Sequence, residues 1–280
     1  MAPVSQSTVS ELNFSGVGLH TGERVDIKVL PGEPGSGIVF IQDGNEQVQI
    51  PASWELVKGS SYLGVTLEKQ DEDPARTWRV STVEHLLAAF SGAGIDNARV
   101  VVRGSEIPGM DGSSKSFTED FLSRRTLVEA NSSLKKVQVL SEIAVSQEDA
   151  NSRWAKLSPL ENADPEGDLN ISVHLDFGTR MQPQSFSYWR SEFIKRNVFE
   201  ARTFGFMSDL EPLRAQNLAR GSNLDNTVAF NNDGSGLDAL GDLRLGGVIS
   251  GRYESLRPGH SLNVMLLRKL YSSAKNFRFI

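Results

Sequence analysis

Apolar and polar residues alternate along the first part of the chain. Val25, Ile27 and Val29 occupy every second position, and successive side chains of a strand point to opposite faces of a sheet. Short apolar runs bounded by Gly, Asp and Asn follow at 38–41 and 48–50. The pattern predicts strands, each with one buried face.

The apolar period lengthens after residue 80. Between Val83 and Phe90 apolar residues recur at helical spacing, with Thr82 as the predicted N-cap and glycine after the last turn. The β-branched run 98–102 predicts a further strand, and 116–122 a second helix.

The same order of elements recurs after a polar, loosely patterned stretch around 125–133. Strands are predicted near 137–145, 157 and 169–177, and helices at 190–198, 237–243 and 262–271. Each half thus contains strands and two or more helices, which indicates an internal duplication. The sequence predicts an α+β protein of two similar domains, 1–130 and 131–280.

Composition narrows the function. The 280 residues include no cysteine, which excludes disulfides, thiolate metal sites and a cysteine nucleophile. Lys and Arg number 29 against 35 Asp and Glu, and the basic pairs Arg124–Arg125 and Lys135–Lys136 stand alone. We therefore expect no nucleic-acid partner.

No apolar run approaches the roughly 20 residues of a membrane span, and Met1–Ser10 lacks the features of a secretory signal. The expected location is the cytoplasm, or an organelle interior if a transit peptide has been removed.

Histidines offer the first candidate chemistry. His85 directly follows Glu84 on a predicted helix, where the imidazole could bind a metal and the carboxylate could take a proton from water. Such pairs are also common on helix surfaces. His260 lies in a predicted loop, free to move and donate a proton. His174 is expected to be an ordinary strand residue, and His20 to be structural.

A series of motifs covers nearly the whole chain. In order they are Gly16-Val-Gly-Leu-His-Thr-Gly22, Ser81-Thr-Val-Glu-His-Leu86, Gly94-Ile-Asp-Asn97, Glu106-Ile-Pro108, Met110-Asp-Gly-Ser113, Ala201-Arg-Thr-Phe-Gly-Phe206, Leu237-Asp-Ala-Leu-Gly-Asp242 and Gly259-His260. Together they resemble the UDP-3-O-acyl-N-acetylglucosamine deacetylase (LpxC) family, zinc enzymes of lipid A biosynthesis.

The resemblance implies a fold and a reaction. Each domain would be a small β-sheet with two helices, with the helices packed between the sheets and the active site between the domains. The substrate would be a UDP-sugar carrying an acyl chain, and the reaction would hydrolyse its acetamide to a free amine.

The resemblance also assigns roles to residues. His85 and Asp238 would bind Zn²⁺. Glu84 would be the general base, and His260 the general acid or the electrostatic partner of the oxyanion. Asp242 would orient His260. Thr203 would donate a hydrogen bond to the tetrahedral intermediate, and Phe204 would lie in the substrate pocket.

One zinc position departs from the family pattern. The family has a histidine four residues before the metal-binding Asp, on the same helix face, whereas this chain has Gly234 there and a shortened segment before it. Ser235 replaces the family's lysine that contacts the substrate diphosphate. Since a catalytic zinc normally has three protein ligands, we expect zinc binding to be weak or absent.

Three interpretations follow. The chain is an inactive or weakly active homologue with a structural or binding role in a larger assembly, which would involve protein partners. Alternatively it is a working deacetylase whose site is completed by Asp233, water or another side chain. The third interpretation is a deletion or an incorrect gene model of an active enzyme.

The stretch 205–228 is expected to keep the family's acyl passage. Its apolar positions also suit an ordinary amphipathic helix covering a core, and Phe204 and Phe206 could be core aromatics.

Overall fold

The computed structural model describes residues 4–61, 63–70, 77–130, 135–147, 152–160, 168–178, 182–229 and 235–280. The described helices are α1 (Glu84–Gly92), α2 (Lys115–Arg124), α3 (Met207–Ala215), α4 (Ser235–Arg244) and α5 (His260–Tyr271). The strands of the first half are β1 (Val4–Val9), β2 (Leu12–Val17), β3 (Arg24–Pro31), β4 (Ile38–Gln42), β5 (Asn45–Pro51), β6 (Val57–Ser61), β7 (Gly64–Gln70), β8 (Thr77–Ser81), β9 (Ala98–Arg103) and β10 (Arg125–Ala130). Those of the second half are β11 (Lys136–Val139), β12 (Ile143–Gln147), β13 (Arg153–Ser158), β14 (Leu169–Leu175), β15 (Gln184–Trp189), β16 (Phe204–Gly205), β17 (Val228–Ala229), β18 (Val248–Leu256) and β19 (Phe277–Phe279).

The first half contains a five-stranded sheet in the order β2-β3-β9-β4-β5 and a three-stranded sheet β6-β7-β8. The alternation predicted for β3 is confirmed, because Val25, Ile27 and Val29 are buried and the residues between them are not. Strands β1 and β10 form an antiparallel ribbon that pairs Val4 with Ala130.

The second half is built on a seven-stranded mixed sheet in the order β12-β13-β18-β11-β19, with β14 beside β18 and β15 beside β14. Strand β18 is its centre, parallel to β11 and β14 and antiparallel to β13. Helix α5 packs on β12 and β13, and α4 packs on β14. The expected α+β fold class, with helices packed on sheets, is confirmed.

Helices of the two halves meet directly. Helix α1 packs against α2 of its own half and against α4 of the other. Gly241 permits this approach, because a Cβ atom there would lie closer than 3.0 Å to the carbonyl oxygen of Glu84. Within the described residues, every sheet takes its strands from one side of residue 130. The predicted domain boundary falls beside residues 131–134, which lie outside the described residues.

Two sequence-based expectations about local structure were wrong. Residues 190–198 form two single-turn 3₁₀ helices, Arg190–Glu192 and Val198–Glu200. The left-handed backbone of Asn197, with φ of 53°, prevents one continuous helix, and the buried Phe193 and Val198 supplied the misleading apolar spacing. Nor does His260 lie in a loop, because it is the first residue of α5.

None of the described helices combines the length and apolar character needed to cross a membrane.

Candidate functional site

A cleft of about 810 Å³ lies between the two halves and collects the residues singled out in the sequence. Helix α1 contributes to one side of it, and α4, α5 and the segment after residue 202 contribute to the other. The predicted site residues on its wall are Glu84, His85, Thr203, Phe204, Asp238 and His260.

Glu84 opens helix α1 and is buried, with 2% of its surface exposed. Its Oε2 accepts a hydrogen bond of 3.1 Å from the backbone N–H of Val65. Burial raises the pKa of the Glu84 carboxyl above its usual value, although the nearby His260 and His85 oppose that shift. A carboxyl whose pKa is shifted towards neutrality is suited to general base catalysis.

His260 and Asp242 form a buried pair. Nδ1 of His260 lies 2.9 Å from Oδ2 of Asp242, whose surface is fully buried. Burial alone would lower the pKa of His260, but the negative charges of Asp242 and Glu84 outweigh it and raise that pKa to about 10. The imidazole therefore carries a proton at neutral pH. The expected mobility of His260 was wrong, since Asp242 holds it inside the cleft.

Asp242 is itself held from behind. Nδ2 of Asn263 donates to Oδ2 of Asp242 at 2.8 Å, and the Tyr253 hydroxyl donates to Oδ1 of Asn263 at 2.6 Å. All three side chains are buried. This chain of hydrogen bonds keeps the carboxylate turned towards His260.

His85 and Asp238 face each other across the contact between α1 and α4. Nε2 of His85 lies 3.1 Å from Oδ1 of Asp238, and that buried oxygen makes no hydrogen bond of acceptable geometry. Burial would lower the pKa of His85, but the Asp238 and Glu84 carboxylates outweigh it and raise that pKa. An imidazole nitrogen and an unsatisfied carboxylate oxygen are donors that Zn²⁺ accepts.

The described residues thus fit two of the three protein positions of a catalytic zinc site. Gly234 and Asp233 lie outside the described residues, and α4 begins directly after them at Ser235. Glu84, Asp242 and His260 also bring ligand atoms within 4.8 Å of one another. Their side chains are engaged in the hydrogen bonds given above, which suits proton transfer.

Aromatic rings line the wall beyond Thr203. Phe204 packs edge-on against Phe177 at 5.8 Å and Phe206 at 6.3 Å between ring centroids. Only 8% of the surface of Phe206 is exposed, as expected for a core aromatic residue. The rings of Phe204 and Phe206 nevertheless both border the cleft. Leu210 and Leu213 of α3 continue this apolar wall.

Sequence reasoning missed the positions of two residues that line the cleft. His20, expected to be purely structural, lines it, with Nε2 at 2.8 Å from the carbonyl oxygen of Leu63. Thr82 is not the N-cap of α1, since its hydroxyl donates to the buried carboxylate of Glu106 at 2.9 Å. No spacing in the sequence connects these residues. His174 is exposed on β14, as expected.

Comparisons with known proteins agree with the motifs. Residues 6–272 match the LpxC family model, described as UDP-3-O-acyl N-acetylglycosamine deacetylase. The chain is 35% identical to the UDP-3-O-acyl-N-acetylglucosamine deacetylase of Xylella fastidiosa, over 96% of this chain and 90% of that protein. It is 34% identical to the enzyme of the same name from Idiomarina loihiensis, over 99% of this chain and 93% of that protein.

With its α+β fold, its cleft and these matches, the chain falls in a class of proteins described as deacetylases. It belongs to the LpxC family of deacetylases.

Proposed function

We propose that the chain binds a UDP-3-O-acyl-N-acetylglucosamine substrate in the cleft and is an inactive or weakly active deacetylase with a structural or binding role in a larger assembly. The observation that carries this proposal is the pair His85–Asp238, which offers two zinc ligands where the third position in the sequence is Gly234. The substrate is inferred from the names of the relatives.

The acid–base residues define how any remaining hydrolysis would proceed. Glu84 takes a proton from water as the water oxygen attacks the acetyl carbonyl carbon. Protonated His260, held by Asp242, stabilises the charge that develops on the carbonyl oxygen or gives its proton to the departing nitrogen. The C–N bond breaks, acetate leaves and the sugar retains a free amine.

Thr203 and Phe204 act on the substrate. The Thr203 hydroxyl would donate a hydrogen bond to the tetrahedral oxygen, and the Phe204 ring would contact the substrate. Zn²⁺ bound by His85 and Asp238 would polarise the carbonyl group and lower the pKa of water. With two protein ligands that contribution is small, which is why we propose impaired turnover.

A working deacetylase is the second candidate. It is favoured by the intact arrangement of Glu84, Asp242 and His260, which a protein released from catalysis has no need to retain. In this case Asp233 or water would complete the metal site.

Metal content separates the two candidates. The protein is purified without added metal, dialysed against a chelator, and assayed for zinc and for release of acetate with and without added Zn²⁺. We expect substoichiometric zinc and at most slow turnover. Near-stoichiometric zinc that resists the chelator, together with ready turnover, would establish the second candidate.

We also propose that residues 1–130 and 131–280 are two domains that enclose the cleft. The separation of the sheets at residue 130 supports this division. Limited proteolysis of the whole chain should leave two protected fragments that meet near residue 130, whereas early cleavage inside β3 or β18 would contradict the division.

A further inference from the structure

A third buried carboxylate, that of Glu106, lies behind the cleft wall. Glu106 is fully buried and does not line the cleft. Its Oε1 accepts hydrogen bonds of 2.9 Å from the backbone N–H of His20 and from the Thr82 hydroxyl. Its Oε2 accepts from the N–H and the hydroxyl of Thr21, at 2.9 and 2.8 Å. These four hydrogen bonds offset the cost of burying the carboxylate.

Thr82 needs such an anchor. Its backbone is left-handed, with φ of 58°, a region that β-branched residues strongly disfavour. The position is two residues before Glu84, where β8 gives way to α1. The hydrogen bond to Glu106 therefore holds a strained turn at the start of the helix that carries Glu84 and His85.

Thr82 is linked to the Glu84 carboxylate through one residue, Val65. The Thr82 N–H donates to the carbonyl oxygen of Val65 at 2.9 Å, and the Val65 N–H donates to Oε2 of Glu84 at 3.1 Å. Val65 of β7 thus accepts a hydrogen bond from the turn through its carbonyl oxygen and donates one to the Glu84 carboxylate through its N–H.

The turn at His20 fixes the same strand at its beginning. His20 bonds to the carbonyl oxygen of Leu63, next to Gly64. A Cβ atom on Gly64 would lie 3.1 Å from Oε1 of Glu84 and 3.7 Å from both Nε2 of His20 and the hydroxyl of Thr82. Residues 63–65 therefore pass close to Glu84 and also to His20 and Thr82, which both donate to Glu106.

We propose that Glu106 is a positioning residue of the active site: through Thr82 and the His20–Thr21 turn it fixes residues 63–65, and through them the orientation of the Glu84 carboxylate. The inference rests on the proposed role of Glu84 as general base. Glu106 itself touches no reacting atom.

The test uses the four histidines of the full chain. Protein labelled with ¹⁵N-histidine gives ring spectra that report the surroundings of His20 and of His260, whose Nε2 lies 3.9 Å from Oε1 of Glu84. His174, on the exposed face of β14, is the internal reference. For Glu106→Gln, whose amide group faces donors, we expect the His20 and His260 signals to move and the His174 signals to stay.

Thr82 provides a matched pair of variants in case Glu106→Gln folds poorly. Thr82→Val keeps the shape and removes the hydroxyl, so His260 signals should move as in Glu106→Gln. Thr82→Ser keeps the hydroxyl, so the His260 signals of this variant should match those of the wild type. Asp96→Asn is the control for loss of a hydrogen-bonded carboxylate elsewhere, since Asp96 accepts two hydrogen bonds of 2.8 Å from Ser7.

The outcomes separate positioning from stability. Wild-type His260 signals in both Glu106→Gln and Thr82→Val, or equal displacement in Asp96→Asn, would overturn the proposal. The spectra need neither zinc nor turnover, so a failure of the proposed function would be recognised separately by the metal and activity assays. If the wild type turns over, Glu106→Gln should lower kcat by about 100-fold with little change in KM, and Thr82→Ser should retain kcat.

Discussion

Nε2 of His260 lies 3.9 Å from Oε1 of Glu84. His260 begins α5 in the second half of the chain, whereas Glu84 begins α1 in the first half. The candidate acid and base therefore meet only where the two halves pack together. Helix α1 packs on α4, and α4 packs on α5, so the packing of these three helices is a determinant of chemistry as well as of stability.

Gly241→Ala tests this packing. The added Cβ atom would meet the Glu84 carbonyl oxygen at less than 3.0 Å, so α1 and α4 must separate. We expect a loss of about 1–3 kcal/mol in the free energy of unfolding, measured by urea denaturation. Gly205→Ala is the matched control, because nothing lies within 4 Å of its Cβ position. Equal effects of the two substitutions would show that the helices are not in tight contact.

The raised pKa of His260 predicts a pH-dependent stability. Its folded-state pKa is about 10, against 6.5 for the unperturbed group, so the folded protein binds the proton more tightly. The resulting stabilisation is fully present below pH 6.5 and is lost as the pH rises towards 10. The wild type should therefore lose its stability advantage over His260→Gln across that interval. His174→Gln, at an exposed position on β14, is the control for the substitution itself.

Residual zinc binding should depend on His85. If the His85–Asp238 pair binds the metal, His85→Ala removes one of two ligands and should abolish whatever zinc the wild type retains at micromolar metal. His174→Ala, on exposed β14, should leave it unchanged. Metal analysis after dialysis measures both. Zinc that persists in His85→Ala would place the metal elsewhere.

Gly234→His alone should not restore tight zinc binding. A histidine and an aspartate four residues apart share one helix face only if a helical turn joins them, and α4 begins at Ser235, one residue after position 234. We expect chelator-sensitive zinc in this variant, assessed alongside the wild type. Stoichiometric zinc after chelation would mean that residue 234 already lies where a zinc ligand is needed.

The aromatic wall predicts that acyl ligands bind even without the metal. Phe177, Phe204 and Phe206 form an edge-to-face cluster at the cleft, so a hydroxy-fatty-acyl ligand should raise the melting temperature. Phe204→Ala should weaken binding about tenfold, as expected from losing part of a buried aromatic contact. Leu127→Ala, at an exposed position on β10, should not change it. An unchanged melting temperature at saturating ligand would indicate that the passage is closed.

The spacing of apolar residues and the order of the motifs predicted much of the fold and of the candidate site. The alternation of Val25, Ile27 and Val29 fixes one face of β3 because one sheet face is buried. The spacing from Val83 to Phe90 likewise predicts α1. Motifs from distant parts of the chain also predicted that Glu84 and His260 would share one site, because the family resemblance supplied their relationship.

What escaped prediction depends on long-range contacts. Threonine is a preferred N-cap residue, but the hydroxyl of Thr82 donates to the buried carboxylate of Glu106 instead of capping α1. The residues at 190–198 have helical spacing, but Asn197 adopts a left-handed backbone that lets Phe193 and Val198 reach the core separately. In both cases a tertiary partner outweighs the local preference.

The ribbon of β1 and β10 has a consequence for the order of events during synthesis. Because Val4 pairs with Ala130, β1 leaves the ribosome long before its partner and must remain unpaired until the first half has been translated. Glu84 can then settle into its turn while α4 and α5 do not yet exist. A nascent chain of this length would hold the base in place without its acid, and the face of α1 that α4 covers in the folded protein would stay exposed until the second half is made.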